Sequence, residues 1–137
     1  MGRNRFVKTM YLLAPLLLMS GSLAAADTNT VSLDGQGVQH ATITMDSYSY
    51  SPKDLTVYAG KPVEFTFRNT ATFAPHTFVV DDPVTGLHLR MEVSAGDTQT
   101  IRFTPTQSGN VTFYCDKQLL FFKSHRERGQ EGHLEIR

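Results

Sequence analysis

The single cysteine of the chain, Cys115, lies in a stretch that also contains a histidine and a glutamine. Cys115 follows the alternating apolar run 111–114, which is typical of a strand, so we expect its sulfur at a strand end. His125 comes after nine further residues, and Gln130 stands just before a last predicted strand at 134–136. A thiolate, an imidazole and one weaker ligand form the set that favours copper in an electron-transfer site.

A further strong ligand must come from elsewhere in the chain, and His76 is the best candidate. It ends the loop 69–76, directly after a proline whose ring restricts the backbone before the ligand. A solvated loop histidine is the alternative interpretation. The remaining histidines begin or fall within predicted strands, and we interpret them as surface residues: His40, His88 and His133.

The N-terminus has the pattern of an export signal. Three basic residues precede an apolar run at 10–23, and three alanines at 24–26 offer a small-residue cleavage site. The run is shorter than the roughly 20 apolar residues of a spanning helix. The pattern predicts a signal peptide at 1–26 and a mature domain at 27–137 without a membrane span, with a retained N-terminal anchor as the alternative.

Charge and cysteine content narrow the class of protein further. Thirteen basic residues balance thirteen acidic ones, and removing the predicted signal leaves ten against thirteen, with no basic stripe. This is not the charge pattern of a nucleic-acid-binding protein. One cysteine cannot form an internal disulfide, so Cys115 is an intermolecular bridge, an inert core thiol, or a reactive or metal-bound thiol.

The mature sequence reads as short strands separated by turns that contain glycine or proline. No long amphipathic helix or repeat is present, and the one possible helical piece is 117–123. Strands at this spacing predict an all-β sandwich of seven or eight strands. The predicted strands are centred on residues 41–45, 55–58, 63–68, 78–80, 87–93, 98–104, 111–114 and 134–136, with 48–52 as an edge or turn.

The order of these motifs resembles the cupredoxin family of small blue-copper proteins. That family has a strand and an asparagine before a ligand histidine, then much later an aromatic residue before a ligand cysteine, a loop, a second histidine and a methionine. Here the corresponding residues are 65–69, His76, 113–115, His125 and Gln130. The resemblance covers nearly the whole mature chain and implies a Greek-key β-sandwich with one mononuclear copper.

The resemblance also implies a role for each candidate ligand. His76, Cys115 and His125 would form a trigonal set, with Gln130 weakly axial where the family usually has methionine. The alternative is that Gln130 only turns the chain and that Glu131 or a backbone carbonyl caps the metal. An amide oxygen is a harder donor than a thioether and should favour Cu(II).

The loop between Cys115 and His125 is longer than in most small carriers of this family. Its four consecutive apolar residues, Leu119–Phe122, would suit docking of a redox partner or another subunit, or else fold inward over the copper. The long loop leaves open whether the site is blue or a rearranged red or more tetragonal one.

Together these features predict an exported, periplasmic or secreted one-electron carrier between redox partners, which is not an enzyme by itself. The alternative is a periplasmic copper protein for delivery, storage or resistance that uses the same residues. The absence of a methionine-rich run favours electron transfer. A metal-free β-sandwich interaction module is the third class.

Overall fold

The computed structural model describes residues 1–2 and 31–137, so nearly all of the expected signal peptide at 1–26 lies outside the described residues. The described residues form ten strands and one short 3₁₀ helix. The strands are β1 (Ser32–Leu33), β2 (Gln39–Asp46), β3 (Ser49–Ser51), β4 (Asp54–Val57), β5 (Val63–Asn69), β6 (His76–Asp82), β7 (Leu87–Val93), β8 (Thr98–Phe103), β9 (Gly109–Tyr114) and β10 (Glu131–Ile136), and the helix is Arg126–Arg128.

The strands are arranged in two five-stranded sheets. One sheet has the order β1-β2-β5-β8 with β3 also paired to β2, and the other has the order β4-β10-β9-β6-β7. The β2–β5 and β4–β10 pairs are parallel, and the remaining pairs are antiparallel. The all-β sandwich expected from the sequence is confirmed, and the count exceeds the expected seven or eight because the short strands β1 and β3 add to it.

The core is aromatic and is contributed by both sheets. The alternation in β5 turns Val63, Phe65 and Phe67 inward, and all three are fully buried. The ring of Phe67 lies 4.6 Å from that of Phe78 in the opposite sheet, which in turn packs against Phe113 at 5.3 Å. Close-packed interiors of this kind resist small displacements, so the ends of the central strands are held in place.

Residues 117–123, the possible helical piece, are not helical. The chain makes a turn there, closed by a hydrogen bond from the Phe122 N–H to the Leu119 carbonyl, and Leu120 has a φ of 50°. Four consecutive large apolar side chains do not form the one-sided apolar stripe that packs a helix onto a core. Within the described ranges, no helix has both the length and the apolar character needed to cross a membrane.

One glycine is required by close packing next to the candidate site. Gly132 in β10 lies against the ring of Phe113, and a Cβ atom at this position would come within 2.3 Å of that ring and of the Lys53 carbonyl oxygen. Its backbone pairs with Phe113 across β9 and β10. The absence of a side chain therefore lets β10 run tightly past the strand that carries Cys115.

Candidate metal centre

Four sequence-predicted residues lie at one end of the sandwich, each placed by a different element. His76 is the first residue of β6, and Cys115 follows the last residue of β9. His125 immediately precedes the 3₁₀ helix, and Gln130 lies between that helix and β10. Because β6 and β9 pair directly, their ends bring His76 and Cys115 together although 39 positions separate them.

Three donor atoms converge in this cluster. The Sγ atom of Cys115 lies 3.9 Å from Nδ1 of His76 and 3.5 Å from Nδ1 of His125, and the two Nδ1 atoms lie 3.1 Å apart. Among the described residues these three form the only group of histidine, cysteine or acidic side chains close enough to share a metal ion. His76 and Cys115 are fully buried, whereas His125 is half-buried.

The size of this triangle suits a metal ion. A point equidistant from the three donor atoms lies about 2 Å from each, which matches typical metal–nitrogen and metal–thiolate bonds of 2.0–2.3 Å. Two imidazoles and one thiolate in a trigonal arrangement form the donor set of copper electron-transfer sites. His76, Cys115 and His125 thus form a candidate copper site.

Gln130 is buried beside the same cluster. Its Nε2 donates to the Ser49 carbonyl oxygen at 3.3 Å, while its Oε1 is buried and has no hydrogen-bond partner among the described residues. A buried amide oxygen without a partner is costly unless something else satisfies it. A weak bond to a metal is one way to satisfy this oxygen.

Backbone hydrogen bonds tie the three C-terminal members of the cluster to one another. The Cys115 N–H donates to the Gln130 carbonyl at 3.1 Å, and the Gln130 N–H donates to the His125 carbonyl at 3.0 Å. The His125 N–H in turn donates to the Lys117 carbonyl at 2.8 Å. This ring of bonds connects the three donor residues directly across the segment 118–124.

Asn69 positions the loop that leads to His76. Its side-chain amide donates to the carbonyls of Ala74 and Val93 at 2.9 and 3.0 Å, and its Oδ1 accepts from the Ala71 N–H at 2.9 Å. The Asn69 side chain is buried, and its bond to the Val93 carbonyl is shielded from water. The asparagine noted in the sequence pattern therefore acts as an internal brace for the loop.

The Cys115 sulfur accepts a hydrogen bond from the backbone of the residue after His76. The Thr77 N–H points to Sγ at 3.3 Å, and the Thr77 hydroxyl lies 3.5 Å from the same atom. That hydroxyl also contacts Asp116, the residue after the cysteine. The two strand ends are thus joined by side chains as well as by the candidate metal ligands.

The two imidazoles are held in their neutral form. Burial lowers the pKa of His76, and the nearby charge of His125 lowers it further, against an opposing effect of Gln130. Burial also lowers the pKa of His125, again opposed by Gln130 and reinforced by Arg128 and Lys117. Nε2 of His76 is buried and has no hydrogen-bond partner in the part of the chain described. Neutral imidazoles are the form that binds a metal.

A tyrosine packs behind the cluster. The Tyr50 hydroxyl donates to the Thr77 carbonyl at 2.5 Å, and its ring meets Phe113 edge-on at 5.1 Å. Burial raises the pKa of Tyr50 strongly, and the nearby charges of Cys115 and Asp116 add to the effect. The phenol therefore stays protonated and supports the backbone that holds Thr77.

On its outer side the cluster opens into a groove of about 660 Å³, and His125 is among its lining residues. Apolar side chains contribute much of the lining, including Phe73 and Leu119. The side chains of Leu119–Phe122 point outward, with exposures from 48% to 86%. Of the two orientations left open by the sequence, the structure therefore shows the outward one.

The other histidines lie away from the cluster. His40 contacts Asp34 at 2.9 Å, His88 contacts Asp81 at 2.6 Å, and His133 is exposed on β10. Sequence reasoning missed Thr77, Asp116, Tyr48 and Tyr50 as parts of the site. The positions directly after His76 and Cys115 were a usable signal for the first two, but the packing of Tyr48 against His125 at 5.0 Å depends on the β2–β3 turn.

A comparison with curated proteins finds no match. Among solved structures, the metal-binding domain of the Cu(I)-exporting P-type ATPase CopA from Streptococcus pneumoniae D39 aligns with a TM-score of 0.58 and 21% identity, over 78% of this chain and 92% of the other. Reduced auracyanin from Roseiflexus castenholzii aligns with a TM-score of 0.59 and 19% identity, over 72% and 96%. Auracyanin B gives a TM-score of 0.59 and 16% identity, over 78% and 94%. At these identities the likeness shows a shared fold.

The sequence also matches a family profile over residues 9–129. The matched range contains His76, Cys115 and His125 and ends one residue before Gln130. Because the match covers most of the chain, and the fold and the donor cluster agree with it, this protein belongs to the family described as the cupredoxin-like domain.

Proposed function

We propose that this protein is a one-electron carrier that exchanges electrons between larger redox partners through one copper ion. The observation that carries the proposal is the arrangement of the three donor atoms. Two of the donor residues, His76 and Cys115, are fully buried, while the third, His125, reaches a surface groove. This arrangement would protect the metal from water and still give an electron a short path to the surface.

A copper ion held by His76, Cys115 and His125 would supply reversible one-electron Cu(I)/Cu(II) chemistry, since thiolate suits the first state and imidazole tolerates both. The chain contributes rigidity. His76 and Cys115 stand at the ends of paired strands, and His125 is fixed by backbone bonds, so the donors need little movement during a redox change. We propose Gln130 as the weak axial ligand, which would favour Cu(II) and lower the potential relative to methionine.

We further propose that redox partners dock on the apolar loop Leu119–Phe122 and the adjoining groove. The four side chains are exposed, and Leu119 and Phe122 line the same groove as His125, the candidate ligand closest to the surface. Lys117, Lys123 and Arg128 also line the groove. An apolar centre with a charged rim is a common form of transient interface, in which the rim steers the encounter.

Export to the periplasm or outside the cell is part of the same proposal, with residues 1–26 as the signal peptide. A catalytic activity of its own is not part of it, because the donor cluster alone provides for electron exchange. The mass of the protein isolated from its native cell would test the first point, since cleavage after Ala26 leaves a chain that begins at Asp27.

The decisive experiment is addition of Cu(II) to the purified mature domain, followed by visible absorption, EPR and voltammetry. We expect an intense sulfur-to-copper band and reversible cycling without loss of metal. Narrow copper hyperfine splitting would indicate a blue site, and wide splitting a rearranged one. A colourless protein with weak copper affinity would overturn the proposal.

A second candidate function is copper delivery, storage or resistance. It is favoured by the structural likeness to the metal-binding domain of a Cu(I)-exporting ATPase. The full burial of Cys115 argues for retention of the metal, because transfer to another protein requires a ligand that the recipient can reach. Rapid loss of Cu(I) to a chelator of modest affinity would favour delivery over electron transfer.

A further inference from the structure

The hydroxyl group of Thr77 makes three polar contacts next to the Cys115 sulfur. Its Oγ1 lies 2.7 Å from Oδ1 of Asp116 and 3.5 Å from Sγ of Cys115, and it accepts the Asp116 N–H at 2.9 Å. Thr77 is fully buried, whereas the Asp116 side chain is about one-third exposed, so the hydroxyl itself is shielded from water. A hydroxyl has one proton to donate, and here two acceptors are within reach.

The short distance decides where that proton points. A hydroxyl donating to a carboxylate is a charge-assisted bond with a usual length of 2.5–2.7 Å, and the Thr77–Asp116 contact falls at that length. The contact to sulfur is 3.5 Å, and sulfur is a weak acceptor. The carboxylate therefore takes the proton, and the sulfur keeps only the bond from the Thr77 N–H at 3.3 Å.

Arg90 on β7 holds the carboxylate in this position. Its Nε donates to Oδ2 of Asp116 at 3.0 Å and a terminal nitrogen approaches Oδ1 at 3.4 Å. The pair lies at the surface, with the Arg90 side chain about half exposed. A chain of contacts thus runs from solvent through Arg90, Asp116 and Thr77 to the sulfur.

We propose that Asp116 and Arg90 are positioning residues that keep the Thr77 hydroxyl proton turned away from the Cys115 sulfur. The direction of the hydroxyl is a property of the protein with or without metal. Its consequence for a redox site rests on the proposed function.

The direction of the hydroxyl should change the reduction potential of the copper in a defined direction. A hydrogen bond to a thiolate ligand stabilises the electron-rich reduced state, so withholding one lowers the reduction potential. The carboxylate charge of Asp116 acts in the same direction, and the Arg90 charge compensates part of it. The three side chains would therefore set the potential from outside the ligand set.

The direction of the hydroxyl can be measured by NMR in the metal-free protein, where copper plays no part. We expect a slowly exchanging Thr77 hydroxyl proton with contacts to the Asp116 side chain and none to the Cys115 β-protons. In Asp116→Ala, the contacts should move to Cys115, because sulfur is then the remaining acceptor. Fast exchange with water, or contacts to Cys115 in the unaltered protein, would overturn the proposal.

The copper-loaded protein gives an independent measurement. Asp116→Ala should raise the midpoint potential and shift the sulfur-to-copper band to higher energy. Asp116→Asn removes the charge but keeps an oxygen that can accept, so it should raise the potential less. In a Thr77→Val background, which lacks the hydroxyl, the difference between the two variants should vanish. An equal difference in both backgrounds would contradict the role of the hydroxyl.

Arg90→Gln should change the midpoint potential in the opposite direction from the Asp116 variants. It leaves the carboxylate charge of Asp116 uncompensated and should therefore lower the potential. Arg102→Gln is the matched control, since it also removes one exposed positive charge from an ion pair, with Glu64 in the other sheet. If Asp116 and Arg90 had only a structural role, their variants would shift the midpoint potential in the same direction. If copper fails to bind with colour, the proposed function fails while the NMR result still decides the hydroxyl direction.

Discussion

At the end of the sandwich that carries the candidate metal site, an inner and an outer half differ in burial. The inner half, His76, Cys115 and Gln130, is fully buried and attached to paired strands or to backbone hydrogen bonds. The outer half is the half-buried His125 with the exposed apolar loop Leu119–Phe122. Under the proposed function, the inner half would define the metal and the outer half would contact redox partners.

Removing the inner sulfur should have the largest effect. Cys115→Ser replaces the thiolate with a hydroxyl that is not ionised at neutral pH, so the intense absorption band should disappear completely and copper affinity should fall. Visible absorption of the copper-loaded protein measures this. His133→Gln, which changes an exposed histidine outside the cluster, is the control and should keep the full band.

A substitution that overpacks the inner half should have the next largest effect, on the stability of the fold. Gly132→Ala places a methyl group about where the Phe113 ring and the Lys53 carbonyl now lie, so we expect a loss of about 1–3 kcal/mol or more in the free energy of unfolding. Urea unfolding of the metal-free protein measures it. Gly35→Ala is the matched control, because open space surrounds that glycine. Equal stability of the two variants would show that β9 and β10 can separate freely.

Changes in the outer half should leave the site and the fold intact. The double variant Leu120→Ser and Phe121→Ser alters exposed side chains, so stability should change by no more than about 0.5 kcal/mol and the absorption band should stay the same.

The same double variant should slow encounters between molecules. Electron self-exchange, measured by NMR line broadening in mixtures of oxidised and reduced protein, should fall about tenfold, as expected if the lost apolar contacts contribute about 1.4 kcal/mol to the encounter. Val84→Ser, on an exposed residue outside the groove, is the control. An unchanged rate would exclude the loop as a contact surface for self-exchange.

The smallest effect should be a pH dependence of stability in the metal-free protein. The folded-state pKa values of His76 and His125 are lowered, mainly by burial, so the unfolded chain binds protons more readily. Stability should therefore be full above the unfolded histidine pKa of about 6.5 and decrease as pH falls below it.

Thermal unfolding between pH 8 and pH 5 measures this dependence. Asp116, whose pKa is lowered because bonds from Thr77 and Arg90 outweigh its burial, loses its contribution only in a more acidic range. A profile that is flat between pH 8 and pH 5 would contradict the lowered histidine pKa values.

The sequence predicted the strands and the three strong donor residues because both leave local signals. Alternation in 63–68 and 87–93 marks strands directly, and Cys115 is the only thiol in the chain. The resemblance of their order to the cupredoxin pattern then implied that His76, Cys115 and His125 lie at a common end of the sandwich. Gln130 was found by its spacing from His125, and its axial role stays a prediction.

The remaining features depend on contacts that have no local signature. The outward direction of Leu119–Phe122 could not be read from four apolar residues, because the same composition is compatible with an inward cap. The contact of Thr77 with Asp116 arises from the pairing of β6 and β9, and Arg90 reaches it from β7. Such side-chain contacts are determined by the register between strands, which the sequence alone left open.

The ring of backbone bonds that joins Lys117, His125, Gln130 and Cys115 also has a consequence for how this protein can vary. These bonds join Cys115, His125 and Gln130 without using residues 118–122, so we expect that this segment can change in length or composition while the three residues keep their positions. A carrier with a different loop sequence would then bind a different redox partner while its candidate copper site stays the same.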